Sequence, residues 1–321
     1  MFEVKGGFYT DYRIPAMTIS SSGEIFVAYE CRTGSSDWAE IDLRVLKSTD
    51  GGNSFAQVLL LKGSGQTLNN PVLITNGNTV HFLYCTDYSR VFHLRSDDGG
   101  DRWRQTDELT ALFDDLSHTV VAVGPGHGTV TPDGVMVVPV WLADNPEDPK
   151  EHKPSFLTTI YSCDGGDTWK RGEVLKKDDL IDANETAIAL TADGAVLLSI
   201  RNRHPELRRR YWAVSPNGYD AWQYPGLDER FTDPHCMGSL CNGGDKLFFS
   251  NCESTDDRVN LTVKVSKDDF KTFERIPVSD SAGYSEVAYF DGTLYVLYET
   301  SDRRGAERVN HRLHIKKFAI K

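Results

Sequence analysis

The sequence predicts an all-β chain, a six-bladed β-propeller with four-stranded blades, and two internal repeats predict it. The first is Ser-x-Asp-x-Gly-x-x-aromatic, found as "STDGGNSF" at 48–55, "SDDGGDRW" at 96–103 and "SCDGGDTW" at 162–169, with altered copies "SPNGYDAW" at 215–222 and "SKDDFKTF" at 266–273. The second is an apolar strand, a glycine-bearing turn and another apolar strand, as in "PVLITNGNTVHFLYC" and "SEVAYFDGTLYVLYE". Its turn glycines are Gly23, Gly77, Gly134, Gly194, Gly243 and Gly292. Units recurring every roughly 50 residues are the mark of propeller blades.

The aspartate repeat reads as a turn. Asp and Ser oxygens can hold the loop's own N–H groups, Gly supplies positive φ, and the aromatic ring plugs down between strands. An EF-hand reading of "SCDGGDTW" fails because the calcium-loop pattern breaks off at Trp169. Asn-Gly and Asp-Gly between alternating apolar runs are strong hairpin signals. A third strand, such as "DLRVLKS", "VFHLRS" or "LTVKVS", follows each hairpin and runs into an aspartate turn in all but the last. "VNHRLHIKKF" ends the sixth blade, and "FEVK" at the N-terminus is expected to lend its outer strand, removing the free edges. A single six-bladed propeller domain over 1–321 is expected.

Bulk properties exclude several classes. A net charge of −12 argues against a nucleic-acid partner. No apolar run approaches the roughly 18 residues of a membrane helix, so no membrane partner is expected. "FEVKGGFYTD" after Met1 lacks the basic start and apolar stretch of a signal peptide. A cytoplasmic location is expected, or a secreted one if a leader has been removed. The six cysteines lack small-domain disulfide spacing and read as free buried thiols. "HRLH" at 311–314 and Cys236 with Cys241 are poor metal sites, because residues three apart on a strand face opposite sides and the cysteines lack a second Cys/His pair. No metal or cofactor is expected.

In a four-stranded meander the aspartate turns lie on one face, and strand A starts, strand B ends and B–C loops lie on the other. That second face collects Arg13 in "YRIPAM", Asp37 in "CRTGSSDWAE", Glu185 in "NETAIAL", Arg201, Arg258 in "DDRVNLTV", Tyr284 in "GYSEVAY" and Glu299 in "LYVLYE". Three arginines, three carboxylates and a tyrosine thus converge from separate blades. Arginine's planar fork binds carboxylates bidentately and keeps its charge when partly buried. The basic runs "RNRHPELRRR" and "SDRRGAER" are placed in B–C loops on the same face, where they can draw in an anion.

With these residues in order, together with "GPGHG" at 124–128, the chain resembles the bacterial-type sialidases over nearly its full length. The resemblance implies a retaining exo-glycosidase that releases terminal α-linked sialic acid from sialylated glycans. It implies Arg13, Arg201 and Arg258 as the carboxylate-binding triad and Glu299 as the residue orienting Arg13. It further implies Asp37 as acid/base, Tyr284 as nucleophile and Glu185 as its partner base. Tyrosine in place of a carboxylate nucleophile is an established exception for sialidases, and it avoids driving one anion towards another. By spacing alone Asp42 and Glu40 compete with Asp37; Asp37 is favoured because it sits at the loop tip, whereas Asp42 begins an alternating strand. Other readings stay open: a glycosidase of another 2-keto acid sugar (KDN- or Kdo-like), transglycosylation, and a non-catalytic Asp-box propeller that binds glycans or proteins. The C5 pocket is expected near Tyr84 to Phe92 and Leu116 to Thr119.

Overall fold

A computed structural model describes residues 2–203, 206–304 and 306–320. Six largely antiparallel sheets follow one another around a ring, each blade's innermost strand packing against the next blade and the sixth against the first. The first blade is typical, with strands Asp11–Ile19, Ile25–Arg32, Ile41–Ser48 and Ala56–Leu61 in meander order. In the sixth, Glu3–Val4 pairs with Glu307–Ala319, so the N-terminus supplies the outer strand as the sequence suggests. The same join is pinned deeper in, where the buried Asp11 carboxylate accepts both the backbone N–H of His311 at 3.0 Å and a bond with its Nδ1 at 2.7 Å.

The aspartate turns join strands C and D in blades 1 to 5. In "SCDGGDTW" Ser162 Oγ donates to Asp164 Oδ1 at 2.8 Å and accepts the Gly166 N–H at 2.8 Å, while Asp164 accepts the Thr168 N–H at 2.9 Å. Gly166 has φ of 88°, and a Cβ there would lie 2.6 Å from the His81 ring of the preceding blade. The fifth copy keeps this turn without glycine. Asp269 and Phe270 take positive φ, and Phe270 is buried against Trp212, Phe231 and Phe249. Aromatic packing there occupies the space that glycine leaves open elsewhere and compensates the backbone strain.

Four details depart from the sequence reading. Gly243 is not the turn residue of blade 5: it pairs with Lys246 at the strand end, and the positive φ belongs to Gly244. The inner strand of blade 3 is broken into Val120–Val123 and Thr129–Val130, because Gly126–His127 between them leaves to pair parallel with blade 2. Cys163 is exposed, whereas the other five cysteines are buried thiols as expected. "SDRRGAER" is largely strand rather than loop, since Thr293–Arg304 and Glu307–Ala319 extend through it. His204, Pro205 and Gly305 of the two basic runs lie outside the described residues.

Candidate active site

All seven predicted site residues reach one end of the ring axis, the end opposite the aspartate turns. Arg13 lies on the inner strand of blade 1, and Glu185 and Tyr284 immediately precede the inner strands Thr186–Leu190 and Ser285–Phe290. Arg201 follows Val196–Ile200, Arg258 precedes Val259–Ser266, and Asp37 sits in the loop after Ile25–Arg32. Glu299 lies within Thr293–Arg304 rather than at its end.

Local backbone strain aims Arg13. The next residue, Ile14, has φ of 54°, a costly conformation for a β-branched side chain, and the ladder to the second strand is bulged between Arg13 and Ala16. Glu299 holds this bulge: its Oε1 accepts the Ile14 N–H at 2.8 Å and lies 3.5 Å from Arg13 Nε, while its Oε2 accepts the Tyr284 N–H at 3.1 Å. One carboxylate therefore positions the backbone next to Arg13 and that of Tyr284. Blade 2 repeats the device, with Asn70 at φ of 56° donating its N–H to Glu30 Oε1 at 2.9 Å.

At the centre, Glu185 accepts a short hydrogen bond from the Tyr284 phenol on Oε1 and another from Arg201 Nη1 on Oε2. Arg201 Nη1 also donates to Tyr284 Oη at 2.9 Å. The Arg13 and Arg258 guanidinium carbons lie 5.3 Å and 5.1 Å from the Tyr284 ring centroid. Among the described residues, no carboxylate lies within ion-pair distance of Arg258. A half-buried cation without a partner is costly, and an anionic ligand would relieve it.

The electrostatics follow from burial and these neighbours. Burial first, then Glu185, push the Tyr284 pKa well up, against the opposing pull of the three arginines, so the phenol is neutral. Burial disfavours the Glu185 carboxylate, but Arg201 and the Tyr284 hydroxyl outweigh it and the net shift is downward. Asp37 is likewise opposed by burial, yet Arg32, 2.6 Å away, and then Arg13, 3.7 Å away, hold its pKa at about 2. Its side chain remains 42% exposed.

Asp42, the rival for Asp37, is committed elsewhere. Tyr9 donates to its Oδ2, Lys62 bonds the same oxygen at 2.7 Å and the Gly63 N–H bonds Oδ1 at 2.8 Å. The basic runs are also less free than the sequence suggests. Arg210 is fully buried, binding the carbonyls of Cys236 and Ser199, and Asp257 pairs with both Arg303 and Arg308.

Sequence reasoning missed several site residues. Arg32 is fully buried and bridges Asp37 to the buried Glu30. Trp38, Tyr88, Trp141 and His152 form an aromatic wall beside Asp37, with Tyr88–His152 and Trp141–His152 ring centroids 4.8 Å and 5.2 Å apart. Tyr88 lies in the stretch named for the pocket.

This ring of Asp-box blades matches the model of the BNR repeat-like domain over residues 56–296. The chain belongs to that family. The BNR chain is 26% identical over 339 residues to a sialidase of Paraclostridium sordellii, covering 90% of this chain and 81% of that one. It is 23% identical over 338 residues to a sialidase of Bacteroides fragilis, covering 90% of this chain but only 60% of the relative's length. Its fold matches the solved Hadza microbial sialidase Hz136 with a TM-score of 0.81 at 22% identity, covering 97% of this chain and 66% of that one. The motif-based resemblance to sialidases with Asp-box repeats is borne out.

Proposed function

We propose that the protein is a retaining exo-α-sialidase. The observation that carries the reading is the hydrogen-bonded Tyr284–Glu185 pair beneath converging arginines. Sialic acids carry a carboxylate on the anomeric carbon, so Arg13, Arg201 and Arg258 can fix that carbon over the phenol. Tyr284 attacks while its proton passes to Glu185, and Arg201 stabilises the phenolate oxygen as charge develops. Asp37 protonates the departing oxygen and then removes a proton from the water that releases the sugar. In the free protein Asp37 is ionised; a bound carboxylate neutralises part of the Arg13 field and screens the pocket from water, both of which raise its affinity for a proton. The sialidase relatives support release of sialic acid in general.

The test is sugar release from an aryl α-sialoside and from sialyllactose, with proton NMR of the first-formed anomer. Release with retention is expected. No release from any 2-keto acid glycoside would overturn the reading, and an inverted product would remove Tyr284 as nucleophile.

A further inference from the structure

Glu30 and Arg32 lie two residues apart on the strand Ile25–Arg32 of blade 1, so their side chains share a face, and neither reaches solvent. Glu30 Oε2 accepts Arg32 Nε at 2.7 Å and also Nη2, so one carboxylate oxygen holds two arms of the guanidinium. The remaining arm, Nη1, donates to Asp37 Oδ1 at 2.6 Å. Glu30 Oε1 accepts the Asn70 N–H of blade 2 at 2.9 Å, and Asn70 Nδ2 is tied in turn to the Val123 carbonyl at 3.1 Å. Glu30 is thus fixed by a neighbouring blade, independently of the loop that carries Asp37. Burial raises the Glu30 pKa, but each of its oxygens accepts a hydrogen bond and no acceptor bonds it among the described residues, so the anion is the form this geometry holds.

A buried arginine beside a general acid works against it. An opposite charge at hydrogen-bond distance favours the ionised carboxylate, whereas the acid must carry a proton. Arg13 and His152 also favour the Asp37 anion, and the Tyr88 phenol feels its charge. Glu30 opposes them, since the two carboxylates repel. A unit charge several ångströms away moves a neighbour's titration by about one pH unit or more. We propose that Glu30 is a positioning residue for the general acid: through Arg32 it holds the Asp37 carboxyl in place and keeps its proton affinity high enough for transfer to the leaving oxygen. This rests on the sialidase reading with Asp37 as the acid. Arg32 is fully buried, so its effect on the reaction runs through Asp37. Glu299 holds the Ile14 N–H and Arg13 as Glu30 holds the Asn70 N–H and Arg32, so one device serves the arginine clamp at one blade junction and the acid at the next.

The experiment follows kcat against pH on sialyllactose, whose departure is slow and needs the acid, and kcat/KM against pH on a nitrophenyl sialoside, whose departure does not. Wild type, Glu30→Gln and the double variant Glu30→Gln/Arg32→Gln are compared. The basic limb on sialyllactose, where Asp37 loses its proton in the complex, should move down by about one pH unit in Glu30→Gln, with kcat above it falling about tenfold, because Arg32 is then unopposed. Removing both charges in the double variant should move the limb above its wild-type position. The nitrophenyl profile should hold its place in both. Where only one variant folds, its limb decides. Limbs that stay put on sialyllactose, move together on both substrates, or shift downward in the double variant overturn the proposal. If neither variant folds, Glu30 is a structural residue and the proposal falls. A wild type that releases sugar from neither substrate fails the sialidase reading itself, a distinct result.

Discussion

Tyr284 donates its phenolic hydrogen bond to Glu185, a residue 99 positions earlier on a different blade, and Arg201 closes the triangle by donating to both. In the proposed mechanism Arg201 stays hydrogen-bonded to both residues while the proton moves from Tyr284 to Glu185. Glu185→Gln removes the base but keeps the shape. kcat on a natural sialoside should fall by about 10²–10⁴, with sialic acid affinity changed only a few-fold. Steady-state kinetics and product-inhibition constants check the split; a raised KM at unchanged kcat would contradict it.

Asp37 and Asp42 are separated by their partners, so their asparagine variants should differ. Asp37→Asn should slow release of a sugar alcohol by about 10²–10⁴ and release of a nitrophenol far less, because only the poor leaving group needs the acid. Asp42→Asn should show no leaving-group dependence and act through stability, since it breaks the bonds to Tyr9, Lys62 and Gly63. Equal losses of kcat/KM, which reports the first displacement alone, on both substrates in Asp37→Asn would remove it as the acid.

Much of this arrangement is legible in sequence because it depends on strand ends. Arg201 and Arg258 are placed by where a strand stops or starts, Arg13 and Glu299 by alternation within a strand, and local pattern carries that information. Glu30 is legible too, since "VAYE" repeats the "VLYE" that ends at Glu299. His152 and Trp141 are not, because the loop carrying His152 has no counterpart in other blades and only tertiary packing brings it to Asp37. The broken inner strand of blade 3 is of the same kind: whether Gly126–His127 pairs with blade 2 or blade 3 is decided by neighbours. Gly243 and Gly244 are adjacent glycines, and composition cannot choose between them.

The aspartate turns brace the face away from the chemistry. Ser162→Ala removes the acceptor of the Gly166 N–H and should cost about 0.5–1.5 kcal/mol, read as a lowered Tm. kcat should stay within about twofold. A large loss of kcat in a variant folded at the assay temperature would contradict the separation of faces.

Asp11 links the first and last blades, and its pKa is depressed to about 2 because the His311 hydrogen bonds outweigh burial. A depressed carboxylate contributes stability that is present above its unfolded pKa and lost as pH falls through its folded value. Stability from this pair should therefore fade between about pH 4 and pH 2, by on the order of 1–2 kcal/mol after allowing for solvent screening. Asp11→Asn should be less stable at neutral pH and lose less on acidification. Parallel denaturation curves for both proteins across that window would contradict the linkage.

The proposed mechanism requires Tyr284 to form the covalent bond to the sugar. A fluorinated sialosyl fluoride slows both displacements and lets the intermediate accumulate, so intact-mass and peptide-mapping measurements read the attacking atom directly. One sugar per chain, on the Tyr284 peptide and absent from Tyr284→Phe, is the predicted result. A label on Glu185 or Asp37, or turnover of the reagent with inversion and no adduct, would contradict it.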